Sequence, residues 1–204
     1  MPHGERFNCL SHVFGLVLAG AAAIYLIPTT LQTGTTAQLI GASVFTLAAI
    51  WLYLASSLYH AAQEPIKTFW EKADHCAIYL FIAATVTPFL LTTTLSWASC
   101  LMLFVIWLCA LAGIVMEVRS TRSGAPSLWI YLCMGWLGVM AVLLSWTQLN
   151  QLSALYLIIG AIAYTIGTYF YARSTTIKHA HGIWHMFVVA GTSNHFLAVL
   201  FHLR

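Results

Sequence analysis

Five polar residues stand out in an otherwise apolar chain because their types and spacing suit metal binding and hydrolysis. Ser56 and His60 are four residues apart, as are His181 and His185, and Asp74 lies alone between the two pairs. Residues at positions i and i+4 share one face of an α-helix. Two histidines at this spacing can bind one metal ion, and His60 would add a third imidazole. Three histidines are the donor set of an open catalytic zinc site.

The remaining two residues suit the chemistry of such a site. Zinc lowers the pKa of a bound water to about 7, which makes hydroxide available at neutral pH. Asp74 would accept or orient the proton of that water, and Ser56 would hydrogen-bond Asp74, the water or a substrate carbonyl. The sequence thus predicts Zn²⁺ as a cofactor, held by His60, His181 and His185, with Asp74 and Ser56 as catalytic residues.

Each residue taken singly also has a structural interpretation. His181 could sit among lipid headgroups at a helix end, and His60 could face the same interface. Ser56 could hydrogen-bond its own helix. Asp74 could cap a helix or interact with its dipole. A shared site requires that all five residues lie at one depth, which depends on the helices that carry them.

Composition indicates that those helices lie in lipid. The chain has 204 residues, of which 61% are hydrophobic and 6% charged, whereas soluble domains carry about 25% charged residues. The apolar runs are long and continuous rather than alternating, which favours helices over a barrel. A net charge of +3 is too small to indicate a nucleic-acid partner.

Seven apolar runs each approach or exceed the roughly 20 residues that a membrane span needs. They lie at about 7–28, 35–60, 73–95, 98–117, 127–147, 152–173 and 180–203. The sequence therefore predicts an all-α bundle of seven transmembrane helices, forming a single domain over residues 1–204 and integral to the cell membrane.

Basic residues predict the orientation, because Lys and Arg concentrate on the cytoplasmic side. The end of the bundle that holds the N-terminus would carry Arg6, Lys67, Lys72, Arg119, Arg122, Arg173 and Lys178. The opposite end would carry only Arg204, since the connections Thr29–Thr36, Leu95–Trp97 and Thr147–Gln151 are uncharged. The N-terminus is therefore predicted inside the cell and the C-terminus outside.

This orientation places the five residues in one layer. Ser56 and His60 would end helix 2 at the cytoplasmic face, and Asp74 would lie in the first turn of helix 3. His181 and His185 would occupy the first two turns of helix 7. Ionisable residues within membrane spans are costly and are usually functional, so their common depth favours one metal site.

Other polar residues are candidates for supporting roles. Glu5, Asn8 and His12 form one stripe at the start of helix 1, either as an ordinary helix N-terminus or as a second layer beneath the metal. His195 lies roughly 15 Å deeper than His185 at 1.5 Å per residue, either lining an internal cavity or bonding another helix. His75 points about 100° away from Asp74 and is not expected to bind the same ion.

These motifs resemble those of the progestin and adipoQ receptor family, specifically its bacterial hemolysin III branch, in a superfamily with the alkaline ceramidases. The matching segments are S-S-L-Y-H at 56–60, K-A-D-H-C-A-I-Y-L-F-I-A-A-T-V-T-P-F at 72–89, H-G-I-W-H-M-F-V-V-A-G-T-S-N-H-F at 181–196 and G-E-R-F-N-C-L-S-H at 4–12. The resemblance implies zinc bound by His60, His181 and His185, with Asp74 contacting its water and Ser56 beside it. It also implies seven helices with the N-terminus inside.

Three functions follow from these expectations. The first is a zinc-dependent hydrolase of lipid amides or esters, with a membrane lipid as substrate near the inner leaflet. The second is a sensor or regulator of membrane state in which zinc is structural. The third is a pore-forming haemolysin, for which no amphipathic pore-lining helix is visible in the sequence. A retinal protein is disfavoured because Lys178 precedes helix 7 and no lysine lies within it.

Overall fold

A computed structural model of the chain describes residues 2, 4–92, 96–120, 128–144 and 146–204. Within these residues the chain forms seven α-helices and one short 3₁₀ turn, and it forms no strand. The helices are α1 (Arg6–Thr33), α2 (Thr36–Ala61), α3 (Ile66–Thr92), α4 (Trp97–Arg119), α5 (Leu128–Leu143), α6 (Gln151–Ala172) and α7 (Ala180–Leu203). The all-α prediction is confirmed for the described residues.

Local capping sets several helix starts. Thr35 and Gln38 form a capping box at the start of α2, in which the Thr35 amide donates to Gln38 Oε1 at 2.7 Å. The Ser96 hydroxyl accepts a hydrogen bond from the Ser99 amide at 3.1 Å and begins α4. Such caps satisfy amide groups that have no partner within the helix. Only Gly34 and Thr35 separate α1 from α2, which makes these helices antiparallel neighbours.

Helix α3 begins seven residues earlier than its apolar run. The helix includes Lys67 and Lys72, which were predicted in the loop before it. The prediction that Asp74 lies in the first turn was therefore wrong, because Ile66 begins the helix and places Asp74 in its third turn. Apolar runs mark only the part of a helix within lipid, and a helix can continue outward through charged turns. The cap interpretation of Asp74 is excluded by this position.

Six of the seven helices are long and apolar enough to cross a membrane, the exception being α5. Helix α5 has 16 residues, or about 24 Å at 1.5 Å per residue, against a hydrocarbon core of about 30 Å. A 3₁₀ turn at Trp146–Gln148 follows it. The predicted start of this helix at residue 127, together with Leu95 and Arg122, lies outside the described residues.

Helix α3 occupies the centre of the bundle, where it packs against α2, α4, α5 and α7. Helix α1 packs on α2 and α7, and α6 packs on α5 and α7. Between α2 and α3 the backbones approach closely, since a Cβ atom on Gly41 would lie 2.7 Å from Pro88 Cα. These contacts bring α1, α2, α3 and α7 together around their shared ends.

The outer surface of α1 is apolar along its length. Leu10, Val17, Ile24 and Leu31 recur every seven residues and are 61%, 65%, 78% and 67% exposed. A continuous exposed apolar stripe of this kind is unfavourable in water and suits contact with lipid chains. The helix therefore turns its apolar side outward and its polar N-terminal residues toward the bundle.

Candidate metal centre

Three histidines from two helices converge at one end of the bundle. His60 lies in the last turn of α2, and His181 and His185 lie in the first two turns of α7. One ring nitrogen from each lies within 4.8 Å of the others, and the ring centroids are 4.7–5.1 Å apart. This is the only such group among the described residues. The predicted ligand residues are thus close enough to share one ion.

The Glu5 carboxylate fixes the orientation of the His60 ring through a hydrogen bond. His60 Nδ1 lies 2.8 Å from Glu5 Oε2. A carboxylate accepts hydrogen bonds, so Nδ1 carries the proton and Nε2 carries a lone pair. Nε2 is buried without a hydrogen-bond partner, and an unpartnered buried acceptor is costly. A carboxylate, a histidine and a metal in this order are a common arrangement around bound zinc.

The backbone of α1 holds His185 in the same way. Its Nδ1 lies 2.9 Å from the carbonyl oxygen of Asn8 and 3.1 Å from Ser11 Oγ. Because a carbonyl oxygen only accepts, Nδ1 carries the proton and Nε2 is left as the metal-binding atom. Both rings therefore present the same nitrogen, and the fit to a metal ion rests on these tautomers and on the unpartnered His60 Nε2.

Glu5 is itself held by several donors. Asn8 Nδ2 donates to Glu5 Oε2 at 2.7 Å, and Lys67 Nζ donates to Oε1 at 3.1 Å. The hydrogen bond from His60, followed by those from Asn8 and Lys67, holds the pKa of Glu5 well below its ordinary value, despite the opposing effect of burial. The side chain stays ionised and is a permanent acceptor for His60.

The start of α1 thus contacts the cluster, which corresponds to the second of the two alternatives given for Glu5, Asn8 and His12. Sequence reasoning missed Ser11, which contacts His185 from the same helix. Its signal was its place in the G-E-R-F-N-C-L-S-H segment, directly before His12. Asn8 contacts His185 through its backbone carbonyl oxygen, which accepts a hydrogen bond from the ring. No pattern of side chains in the sequence could have revealed this contact.

His12 lies against the cluster without belonging to it. Its ring stacks on that of His185 with centroids 3.6 Å apart and an interplanar angle of 15°, and it meets Tyr53 edge-on at 5.1 Å. Both ring nitrogens of His12 are buried without a hydrogen-bond partner. Stacking restricts the tilt of the His185 ring, which gives His12 a packing role beside the site.

Asp74 and Ser56 face a cavity of about 500 Å³ together with His181 and His185. Asp74 comes from α3 and Ser56 from α2. Asp74 is outside the group of three mutually close ligand residues. The structure therefore places the two predicted catalytic residues on the cavity wall with His181 and His185. His60 adjoins these two histidines but does not line the cavity.

The cavity is mostly apolar and extends away from the histidines into the bundle. Its wall includes Ile78, Phe81, Ile82, Val86, Leu132, Val139, Leu157 and Ala161. On one side Trp136 Nε1 donates to Thr165 Oγ1 at 3.2 Å, which joins α5 to α6. Both interpretations of His195 apply, because it lines this cavity and its Nε2 lies 3.1 Å from the carbonyl oxygen of Leu157 in α6.

His75 is outside the three-histidine group, as expected from the angle of about 100° between His75 and Asp74 around the helix. Its Nδ1 lies 2.8 Å from Glu117 Oε1 of α4, and its carbonyl oxygen accepts a hydrogen bond from the Tyr131 hydroxyl at 3.0 Å. His75 joins α3 to α4 and α5 and fixes the helix that carries Asp74.

Comparison with known proteins identifies the family of this chain. Residues 1–196 match the family model described as haemolysin-III related. The chain belongs to the haemolysin-III-related family. It is 34% identical over 200 residues to the "Hemolysin-3 homolog" of Bacillus subtilis (strain 168), covering 97% of this chain and 93% of that protein. It is 33% identical over 201 residues to the "Hemolysin-3" of Bacillus cereus, covering 98% and 91%.

The haemolysin-III-related chain also has a human relative. It is 28% identical over 203 residues to the "Monocyte to macrophage differentiation factor" of Homo sapiens, covering 94% of this chain and 81% of that protein. These relatives and the six apolar helices identify a multi-pass integral membrane protein. The matched residues 1–196 contain every residue of the candidate metal centre.

Proposed function

We propose that this chain is a zinc-dependent membrane hydrolase that cleaves an amide or ester bond of a lipid near the inner leaflet. The observation that carries the proposal is a cavity of about 500 Å³ whose wall contains His181 and His185 of the histidine cluster together with Asp74, Ser56 and a long apolar face. Polar groups at one end and apolar side chains along the rest match a lipid whose reacting carbonyl lies beside its acyl chain.

The donor set fits zinc better than harder ions. Three imidazoles with one open position are typical of catalytic zinc, whereas Mg²⁺ and Ca²⁺ prefer oxygen ligands. When bound, zinc supplies polarisation of a carbonyl and a water of lowered pKa. The Glu5 carboxylate and the Asn8 carbonyl hold His60 and His185 with Nε2 directed away from those acceptors.

The protein's own groups complete the reaction. The Asp74 carboxylate takes one proton from the attacking water, and the oxygen of that water bonds to the carbonyl carbon. The C–N or C–O bond then breaks, and Asp74 returns the proton to the departing nitrogen or oxygen. Ser56 interacts with the Asp74 carboxylate and lines the same cavity, which sets its hydroxyl group beside the substrate carbonyl.

The proposal includes seven spans with the N-terminus in the cytoplasm. The contact of Asn8 with His185 brings the first turns of α1 and α7 to one end, and the contact of Glu5 with His60 brings the last turn of α2 there as well. When two helices of one chain begin on the same side of the membrane, the chain between those two starts crosses the membrane an even number of times. Six crossings, including α5, satisfy this condition, whereas five would not. The basic residues at this end support its cytoplasmic placement.

The test uses purified protein in liposomes that contain N-acyl sphingosine or diacyl phospholipid. We expect release of fatty acid from at least one lipid, loss of release with a zinc chelator, and loss in Asp74→Asn. The control is Glu64→Gln, because Glu64 is exposed, hydrogen-bonds Thr68 and does not line the cavity. Equal hydrolysis by wild type and His185→Ala would overturn the proposal.

The same vesicles separate the other two functions. A structural zinc that serves a sensor would give no turnover, while chelation would lower the melting temperature of the bundle. A pore would release a dye trapped in the vesicles. Hydrolysis without dye release supports the enzyme, and dye release without hydrolysis supports the pore.

A further inference from the structure

His195 is a buried histidine with one nitrogen committed and one free. It is 5% exposed, and its Nε2 lies 3.1 Å from the carbonyl oxygen of Leu157. A carbonyl oxygen only accepts, so Nε2 carries the proton and Nδ1 of the neutral ring carries a lone pair. Nδ1 has no hydrogen-bond partner. A buried acceptor is normally paired with a donor, so a donor is missing from this position.

The neighbouring hydroxyl groups do not supply that donor. The Tyr53 hydroxyl donates to Thr192 Oγ1 at 2.8 Å, and the Tyr164 hydroxyl lies 2.8 Å from the same oxygen. Tyr164 meets the His195 ring edge-on, with centroids 5.3 Å apart. The hydroxyl groups of Tyr53, Tyr164 and Thr192 are thus engaged with one another, and the buried Nδ1 of His195 is left without a donor.

Two glycines leave room for these rings. A Cβ atom on Gly160 would overlap the Cδ2 atom of His195, and one on Gly191 would lie 2.6 Å from the Tyr164 ring. Any other residue at Gly160 would push the His195 ring away from Leu157. The positions of the His195 and Tyr164 rings therefore depend on glycine in both α6 and α7. This dependence indicates that the two rings are packed in a specific arrangement.

Two residues of this group, His195 and Tyr164, lie on the wall of the proposed substrate cavity, far from its reactive end. His195 and Tyr164 line the cavity that also contains His185 and Asp74. Ten residues of α7 separate His185 from His195, roughly 15 Å along the helix axis. A lipid with its carbonyl at the three histidines would pass His195 with the middle of its acyl chain, where an unsubstituted chain offers no donor.

We infer that His195 Nδ1 accepts a hydrogen bond from a hydroxyl group part-way along the acyl chain of the lipid bound in this cavity. This inference rests on the proposed function for the presence of a lipid and adds the class of lipid, a mid-chain hydroxylated one. A hydroxyl group placed next to the carbonyl would lie in the histidine layer and would not reach His195.

The test is competition for binding, which needs no turnover. Purified, metal-loaded protein in nanodiscs binds radiolabelled stearic acid, and unlabelled stearic, 2-hydroxystearic or 12-hydroxystearic acid displaces it. We expect 12-hydroxystearic acid to bind about fivefold more tightly than stearic acid, the effect of one net hydrogen bond. His195→Gln should abolish this advantage, since its amide can still donate to Leu157 but offers no acceptor at the place of Nδ1.

Controls separate recognition from folding. His195→Gln should keep the wild-type metal content, affinity for stearic acid and response to 2-hydroxystearic acid. Gly160→Ala should lose the same advantage by displacing the ring. Equal affinity of the wild type for 12-hydroxystearic and stearic acids would overturn the inference while leaving the lipid cavity intact, as would an unchanged preference in His195→Gln. Failure of all three acids to bind would overturn both the lipid cavity and the subsite.

Discussion

Glu5 Oε2 lies 2.8 Å from His60 Nδ1, although 55 positions separate the two residues in the chain. This contact connects the residue just before α1 to the last turn of α2 and leaves His60 Nε2 as the metal-binding atom. The N-terminal segment is therefore a part of the proposed metal site, and its contribution can be measured through the metal.

Replacing Glu5 with glutamine should weaken zinc retention by about 10- to 100-fold, the usual effect of losing a carboxylate behind a histidine ligand. The amide cannot accept as strongly from His60 and no longer attracts Lys67. Zinc content after dialysis against graded chelator measures the effect. Glu64→Gln is the control, because Glu64 is exposed and bonds only the Thr68 hydroxyl among the hydrogen bonds found. Equal retention in Glu5→Gln and wild type would contradict this role.

Asp74→Asn should separate catalysis from metal binding. Asp74 lies on the cavity wall outside the three-histidine group, so we expect the variant to keep its zinc. Loss of the proton acceptor should lower kcat by about 10²- to 10⁴-fold with little change in KM. Metal analysis and lipid hydrolysis of one preparation provide both readouts. Loss of zinc in this variant would instead make Asp74 a ligand.

Chelation should destabilise the wild type more than a variant without the site. A metal that binds only the folded state adds stability that rises with occupancy. We therefore expect a zinc chelator to lower the melting temperature of the wild type but not of His185→Ala. Acidification should act similarly, because imidazole binds metal only when neutral. Stability due to the metal should be present at neutral pH and lost once the pH is low enough to protonate the histidine ligands. An equal shift in both proteins would contradict a metal at these residues.

The sequence predicted an all-helical membrane bundle because long apolar runs are a local property of the chain. The i, i+4 pairs identified one face of α2 and one of α7, whereas the approach of His60 to His181 and His185 depends on tertiary packing. The start of α3 was missed because hydropathy describes the part within lipid rather than the hydrogen-bonded helix. The contact between Asn8 and His185 was missed because it uses a backbone carbonyl, and Ser11 was missed because tertiary packing, not spacing, brings it to His185.

Gly41→Ala should destabilise the bundle by about 1–3 kcal/mol, the usual cost of overpacking. Its Cβ would lie 2.7 Å from Pro88 Cα, and a backbone atom cannot rotate away, so α2 and α3 would separate. Thermal unfolding in detergent measures the loss. Gly20→Ala is the matched control in α1, because a Cβ there meets no atom within 4 Å. Similar melting temperatures for the two variants would show that α2 and α3 can shift apart without cost.

Membrane orientation can be tested by labelling the two ends of α2. In a chain whose five cysteines are replaced by alanine, Gln32→Cys introduces a thiol near the connection between α1 and α2, and Glu64→Cys introduces one between α2 and α3. Both positions are exposed. Because basic residues concentrate on the cytoplasmic side, a membrane-impermeant maleimide should label Gln32→Cys in intact cells, and it should label Glu64→Cys only after the membrane is opened. The reverse pattern would place Glu5, His60 and the proposed reaction on the outer side, and an inner-leaflet substrate would then be excluded.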